Sequence, residues 1–267
     1  MSEALTMDFK ARVNLVGKGV LSGIGSFGGA VMYVVEIVKQ MFKRPFRYQT
    51  ILQQMEFVGN QSLSIIALSA FFVGLVFSLQ IGALFKLFKA EGIMGAVTGK
   101  ALSRELAPMI TGFLLAGRAG AAITAEIATM KVNEQVDAME AMAVEPIHYL
   151  VVPRVIACIL MAPLLSGLFL FIGEYGAYAC AVILFDVDQG AFFTKISAMV
   201  KIKDIWSGLQ KAVVFGGVVG AVSCRYGLTA SGGAKGVGRA TTNSVVMTLL
   251  ILLCFDFVIT YFQINFK

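Results

Sequence analysis

The chain has 267 residues, of which 58% are hydrophobic and only 14% are charged. Soluble domains carry about 25% charged residues, so this composition excludes a soluble domain and predicts a protein embedded in a bilayer. The net charge of +6 does not indicate nucleic-acid binding, because the basic residues are scattered at the ends of apolar runs, where lysine and arginine normally meet lipid headgroups.

The first 60 or so residues predict a cytoplasmic segment that contains an interfacial helix. Residues 13–42 are apolar but are broken by Lys18, Glu36 and Lys39, and a basic cluster follows them. This mixture is typical of a helix that lies in the membrane interface with its basic end among anionic headgroups. A sixth full span is the alternative. The opening residues have neither an apolar signal core nor a transit-peptide composition, which favours a bacterial inner membrane.

Five later segments are apolar over the roughly 20 residues that a membrane-spanning helix needs. They comprise residues 63–85, 106–130, 155–185, 209–228 and 245–264. An odd number of spans places the termini on opposite sides, and the bias of lysine and arginine predicts a cytoplasmic N-terminus and a periplasmic C-terminus. The predicted fold class is an all-α integral membrane protein, with one domain over residues 1–267 and a short helix between spans two and three.

That short helix is predicted over residues 131–144. The apolar residues Val132, Val136, Met139 and Ala143 recur at helical spacing and share one face. Glu134, Asp137 and Glu140 lie on a different face, and Pro146 ends the helix because proline disfavours helical backbone before it. An acidic helix on the cytoplasmic side is either a docking surface for another protein or a solvated loop helix with no partner.

Neither a nucleotide site nor a catalytic group emerges from the sequence. Residues 23–28 match G-x-G-x-x-G without a preceding strand, and residues 233–239 resemble a phosphate loop without its Lys-Ser/Thr pair. The single histidine, His148, excludes a histidine-rich metal site, and the four cysteines lie singly in apolar runs, which indicates buried small side chains. The chain is therefore expected to be a non-catalytic subunit without a cofactor of its own, and a partner must hydrolyse any ATP.

Charged residues near or within the spans are the strongest candidates for function, because a charge costs about 2.5–3.5 kcal/mol at a helix centre. The best candidates are Arg104, Glu105, Lys211 and Asp256. Their mixed signs also permit a purely stabilising role through mutual pairing. On the predicted topology the first three lie at the outer membrane surface, and Asp256 lies partway down span five.

Several motifs, spread over most of the chain from Ser103 onward, resemble one family. They are SRELAP (103–108), LLAGRAGAAITAEIATM (114–130), EQVDAMEAMAVEP (134–146), LVVPRVIA (150–157), GVGRATT (236–242) and DFVITYF (256–262). Together they resemble the MlaE/YrbE permeases, the membrane subunits of ABC-type lipid transporters that work with MCE proteins.

The resemblance implies a homodimer with a cavity facing the outer side, two cytoplasmic ATPase subunits that carry ATP and Mg²⁺, and a periplasmic MCE-domain protein. It leaves open whether a STAS-type regulatory subunit is also bound. It assigns Glu134, Asp137, Glu140 and Met139 to contact with the ATPase through a coupling helix. The lipid pocket that it implies comprises Phe77, Gln80, Leu84, Phe85 and Tyr261.

The function expected from the resemblance is ATP-driven movement of phospholipid between the inner membrane and an MCE carrier, which contributes to outer-membrane lipid asymmetry. An ion-coupled secondary transporter that uses Asp256 or Glu174 as its carrier is the first alternative. The lack of an internal repeat and of a broken helix speaks against it. A membrane scaffold that transports nothing is the second alternative.

Overall fold

The computed structural model describes Gly25, residues 28–43 and residues 47–265, and the regular elements in these ranges are helices. The chain divides into two compact units, residues 1–46 and 47–267. In the first unit residues 28–41 form helix α1, which exposes Val31, Met32 and Val35. Much of the predicted interfacial segment, residues 13–24 and 26–27, lies outside the described residues, so the interfacial helix stays a prediction.

The second unit contains five helical segments that are long and apolar enough to cross a membrane. They are Tyr48–Lys86, Glu91–Val132, Ile147–Phe185, Ile202–Leu228 and Gly233–Asn265. This confirms the predicted all-α membrane fold with five spans. The helices are longer than the apolar runs that predicted them. The first begins at Tyr48 instead of residue 63, because polar residues such as Gln53 and Asn60 continue the same helix.

The five segments and their connections contain nine helices in the part of the chain from residue 47 to residue 265. They are α2 (Tyr48–Lys86), α3 (Met94–Ala101), α4 (Ala107–Leu115), α5 (Ala121–Val132), α6 (Gln135–Ala141), α7 (Val152–Phe185), α8 (Gln189–Met199), α9 (Ile202–Leu228) and α10 (Gly233–Asn265). A 3₁₀ turn at Glu91–Ile93 precedes α3. The π-helical turns at Leu102–Leu106 and Ala116–Gly120 join α3, α4 and α5 without a break, and a third π turn at Ile147–Val151 leads directly into α7. Such π turns are frequent at functional sites. Two of them contain Arg104 and Arg118.

Helices α2 and α7 run parallel and pack closely through small residues. A side chain at Gly74 would collide with the backbone of Gly173, and the Ser78 hydroxyl donates to the Ala177 carbonyl oxygen at 3.1 Å. Small residues let helices in a bilayer approach until their backbones touch. This contact fixes the first and third spans side by side.

Helix α9 packs between α7 and the second span, while α10 packs on α5 and α9. A side chain at Gly216 would collide with the Cys158 carbonyl group. On the other side of α9 the Thr124 hydroxyl lies 3.0 Å from the Ser223 carbonyl oxygen and 2.9 Å from Ser244 Oγ. These contacts join spans two, four and five.

The four cysteines do not share one environment. Cys158, Cys180 and Cys224 are buried as predicted, but Cys254 is exposed on α10. The expectation that all four are buried is wrong for Cys254, because α10 leaves most of its apolar surface uncovered within one chain.

Candidate functional site

Lys211 lies at the centre of a polar cluster within the helical bundle. Its side chain is fully buried, and its ammonium group donates to a Glu105 carboxylate oxygen, to Asp256 Oδ1 at 3.0 Å and to Thr260 Oγ1 at 2.7 Å. These acceptors use all three N–H donors of the lysine. The structure thus brings together three of the four charges that the sequence selects, and we call this group the Lys211 cluster.

The Lys211 cluster lies inside the bundle. Lys211 is the tenth residue of α9, and Asp256 lies nine residues before the end of α10. At 1.5 Å per residue, both lie about 14 Å along their helices from the nearer end. Lys211 is therefore buried between helices, and its glutamate and aspartate partners make this burial tolerable. Its position at the outer membrane surface stays a prediction.

A close backbone approach positions Glu105 against Lys211. A side chain at Gly208 would collide with the Ser103 carbonyl group in the first π turn. Gly208 precedes Lys211 by three residues, and residues three apart lie on the same helical face. The missing side chain therefore lets α9 approach the π turn closely enough for the two charges to meet.

Arg104, the fourth predicted charge, is paired separately. Its Nε lies 3.9 Å from Asp204 Oδ1, which is a loose ion pair. Asp204 also accepts a hydrogen bond from the Lys201 backbone N–H at 3.1 Å and so caps the start of α9. Sequence reasoning missed Asp204, although an acid at the third position of a helix was a usable signal.

The Lys211 cluster connects three spans and carries excess negative charge when its groups are ionised. One ammonium group faces two carboxylates, Glu105 from span two and Asp256 from span five. A movement of α10 relative to α9 would change the contact between Asp256 and Lys211. An anionic ligand gains little here, because the lysine charge is already more than balanced.

The predicted coupling helix is shorter than its sequence pattern suggests. Helix α6 covers Gln135–Ala141, while residues 131–132 end α5. Val136 is buried and Met139 is half-buried, whereas Glu134, Asp137 and Glu140 are exposed. The prediction that Ala143 shares the apolar face is wrong, because Ala143 lies beyond the helix in a left-handed conformation with φ 57°.

The three acids predicted to contact the ATPase differ in their surroundings. Asp137 pairs with Lys131 on the preceding helix. Glu134 precedes α6 in a left-handed conformation with φ 59°, and Glu140 is exposed near the helix end. Met142, which sequence reasoning did not select, is 68% exposed beside them. An exposed methionine next to free acids is a surface suited to a protein partner.

The predicted lipid-pocket residues lie on two helices with different neighbours. Phe77 is half-buried on α2, Gln80 and Leu84 are exposed there, and Tyr261 is exposed on α10. Phe85 packs against a buried cluster that includes Met94 and Phe192. Helix α2 packs on α7, whereas α10 packs on α5 and α9. The lipid pocket stays a prediction.

Other charged groups in the spans behave differently from the Lys211 cluster. Buried Arg154 pairs with Glu126 at 2.8 Å and donates to the Leu150 carbonyl oxygen at 2.9 Å. Among the residues that the structure describes, Arg118 donates to neutral groups of α2 alone. Both carboxylate oxygens of Glu174 are buried and accept no hydrogen bond from the residues that the structure describes. The sequence marks these residues as charges within apolar runs but does not reveal their partners.

Comparison with known proteins agrees with this architecture. Residues 51–262 match the family model described as Permease MlaE, which spans α2 to α10 almost completely. The chain belongs to the MlaE permease family. The match includes every candidate residue of this permease that lies in the spans or in α6, and it confirms the resemblance seen in the sequence motifs.

Several relatives of the permease are described as probable ABC transporter permease proteins. A probable ABC transporter permease protein of Synechocystis sp. is 42% identical over 210 residues, which cover 79% of this chain and 80% of the relative. Another from Rickettsia typhi is 40% identical over 92% of this chain and 95% of its own length. A third from Pyropia yezoensis is 38% identical over 85% of this chain and 89% of its own length.

Proposed function

We propose that this chain is the membrane permease of an ABC transporter that moves phospholipid between the bilayer and an MCE-domain carrier protein. It acts as a homodimer in a bacterial inner membrane, with its N-terminus in the cytoplasm and its C-terminus in the periplasm. Cytoplasmic ATPase subunits bind ATP and Mg²⁺ and hydrolyse the ATP. The lipid is moved without any bond being made or broken, and the transport contributes to outer-membrane lipid asymmetry.

The observation that carries this proposal is the exposed acidic surface of α6 within the family-matched segment. Val136 anchors α6 to the bundle, while the side chains of Glu134, Glu140 and Met142 are exposed and make no hydrogen bond or ion pair with the described residues. A surface of this kind supports docking of the ATPase. The relatives' printed names, which describe permeases of ABC transporters, support the same role.

The lipid pocket of this proposal is formed by Phe77, Gln80, Leu84 and Tyr261, with Phe85 behind them. The exposed apolar residues of α2 and α10 support it, because they give acyl chains a surface worth about 0.8 kcal/mol per buried CH₂ group. Arg104 and the Lys211 cluster act in this proposal as the charged contact between spans that changes when the dimer opens or closes.

Charge reversal on α6 tests the docking surface. We expect Glu134→Lys with Glu140→Lys to abolish co-purification of the ATPase, because two repulsive charges replace two attractive ones. Asp137→Lys is a poorer test, since it also breaks the ion pair with Lys131. Lys195→Glu, at an exposed position of α8, is the matched control, and it should leave the complex intact.

Native mass spectrometry of the gently purified complex measures the outcome. Two copies of this chain with two ATPase subunits and bound phospholipid are the expected result. Unchanged ATPase association in the double variant would contradict the role of α6. A wild-type chain that carries neither ATPase nor lipid would contradict the proposed function as a whole.

One observation supports the second candidate, an ion-coupled transporter. Glu174 in span three has a buried carboxylate without a hydrogen-bond donor among residues 47–265, as a proton carrier would. Asp256, the other carrier considered, is instead paired with Lys211. The purified chain in vesicles should transport lipid only with ATPase and ATP. Transport driven by a proton gradient alone, and lost in Glu174→Gln, would favour this second candidate.

A further inference from the structure

Arg118 carries a charge that no carboxylate balances among residues 47–265. It lies in the second π turn of span two, and its Nη1 donates to the Phe57 carbonyl oxygen at 2.6 Å and to Ser62 Oγ at 3.3 Å. Its Nη2 donates to the Gln61 side-chain oxygen, and its Cζ lies 4.7 Å from the centroid of the Phe57 ring. These neutral groups of α2 hold the guanidinium in place without neutralising it.

Two donors of this guanidinium remain for a ligand. Arginine has five N–H donors, of which the contacts with α2 use three. Within the described residues, Nε–H and one N–H of Nη2 donate to no acceptor. Neighbouring donors of this kind form a fork that matches two oxygens of a phosphate or a carboxylate.

The surroundings of Arg118 are open and polar. A side chain built at Gly117 meets nothing within 4 Å, and Gly117 is exposed. Helix α2 exposes Asn60, Gln61 and Ser64 beside it. Amide and hydroxyl groups are unfavourable next to lipid tails, because the tails offer them no hydrogen-bond partners. A charged residue within a span usually faces a polar cavity and marks the path of a substrate.

We propose that Arg118, with Asn60 and Gln61 beside it, binds the oxyanion of an amphiphile, and that in this permease the oxyanion is a phospholipid phosphate. Arg118 follows Glu105 by 13 residues, which is about 20 Å along span two, so the site is separate from the Lys211 cluster. The inference rests on the proposed function, since it names a contact for the transported lipid.

Photolabelling in a phosphate-free maltoside detergent tests the site in the complex with its ATPase. The probes are a phosphatidic acid and a diacylglycerol with identical chains, each with a photoreactive group near the glycerol, so that only the phosphate differs. We expect phosphatidic acid to label the peptide containing Asn60 and Gln61 about tenfold more strongly, as one charge-assisted fork can provide. A photoreactive fatty acid, whose oxyanion is a carboxylate, should label it less than phosphatidic acid. Stronger labelling by the fatty acid would overturn the assignment to phosphate.

Three variants separate ligand binding from structural support. Arg118→Gln should abolish the preference for phosphatidic acid, and Arg118→Lys should lower it because lysine keeps the charge but loses the fork. Ser62→Ala removes one acceptor that holds Arg118 and should retain the preference. If Arg118→Gln keeps the preference for phosphatidic acid, Arg118 does not bind the phosphate and the proposal is wrong.

The remaining outcomes distinguish this inference from the proposed function. Equal labelling by both lipid probes, with phospholipid still bound to the wild-type complex, would overturn the Arg118 site alone. A cross-link from Gln61 to a second copy in place of lipid would identify a contact between protomers and also overturn the site. Absence of phospholipid from the wild-type complex would overturn the proposed function itself.

Discussion

The two charged regions of span two differ in how their charge is balanced. At the Lys211 cluster, two carboxylates surround one buried ammonium group. At Arg118, about 20 Å further along the span, the charge meets a carbonyl group, a hydroxyl group, an amide and an aromatic ring. In the first region the cation is already paired within one chain, whereas the second region gains most from an external anion.

This difference separates two roles that look alike in the sequence. A charge buried with its counterions stabilises the arrangement of helices around it, and removing one member leaves the others unpaired. A charge held by neutral groups adds little to the fold but remains available to a ligand. The comparison therefore predicts that substitutions in the Lys211 cluster mainly lower stability, whereas substitution of Arg118 mainly weakens ligand binding.

The largest effect is expected for Lys211→Met. This substitution leaves Glu105 and Asp256 facing each other without a cation, and breaking a buried pair in this way costs about 3–5 kcal/mol. Unfolding of the purified protein in detergent measures the loss, and Lys195→Met at an exposed position of α8 is the control. Adding Glu105→Gln and Asp256→Asn should recover part of the stability. An equal loss with and without these changes would show that lost packing, not charge, is responsible.

A smaller effect is expected for Gly208→Ala. The added methyl group would collide with the Ser103 carbonyl group and push α9 away from the π turn, at a cost of about 1–3 kcal/mol. Gly217→Ala on the same helix is the matched control, because its nearest neighbour would be Ile159 Cγ1 at an ordinary 3.6 Å. Thermal unfolding of both variants measures the difference. Equal stability of the two variants would mean that the close approach at Gly208 does not hold the Lys211 cluster together.

The sequence predicted the features that depend on composition. It did not predict the features that tertiary contacts determine. Five spans follow from apolar runs, and Glu105, Lys211 and Asp256 follow from the cost of a charge in such runs. The start of α2 at Tyr48 was missed, because polar residues can continue a helix whose backbone hydrogen bonds are already satisfied.

The sequence could not predict the contacts between charges. Asp204 beside Arg104 and Glu126 beside Arg154 are each far from their partners along the chain, so no local pattern reveals the pairs. The π turns at Arg104 and Arg118 were also missed, because packing against neighbouring helices determines where the backbone widens. For the same reason the sequence did not distinguish Arg118 from the other charges in the spans.

The smallest effect on stability is expected for Arg118→Gln. The substitution removes hydrogen bonds to α2, but it also removes an unbalanced charge whose insertion costs about 2.5–3.5 kcal/mol. These contributions oppose each other, so the free energy of unfolding should change by no more than about 1 kcal/mol. Unfolding under the conditions used for Lys211→Met measures the change, and lipid transfer by the ATPase complex measures function. Lipid transfer should fall although stability is kept. A loss of stability as large as that of Lys211→Met would mean that Arg118, like Lys211, chiefly holds the helices together.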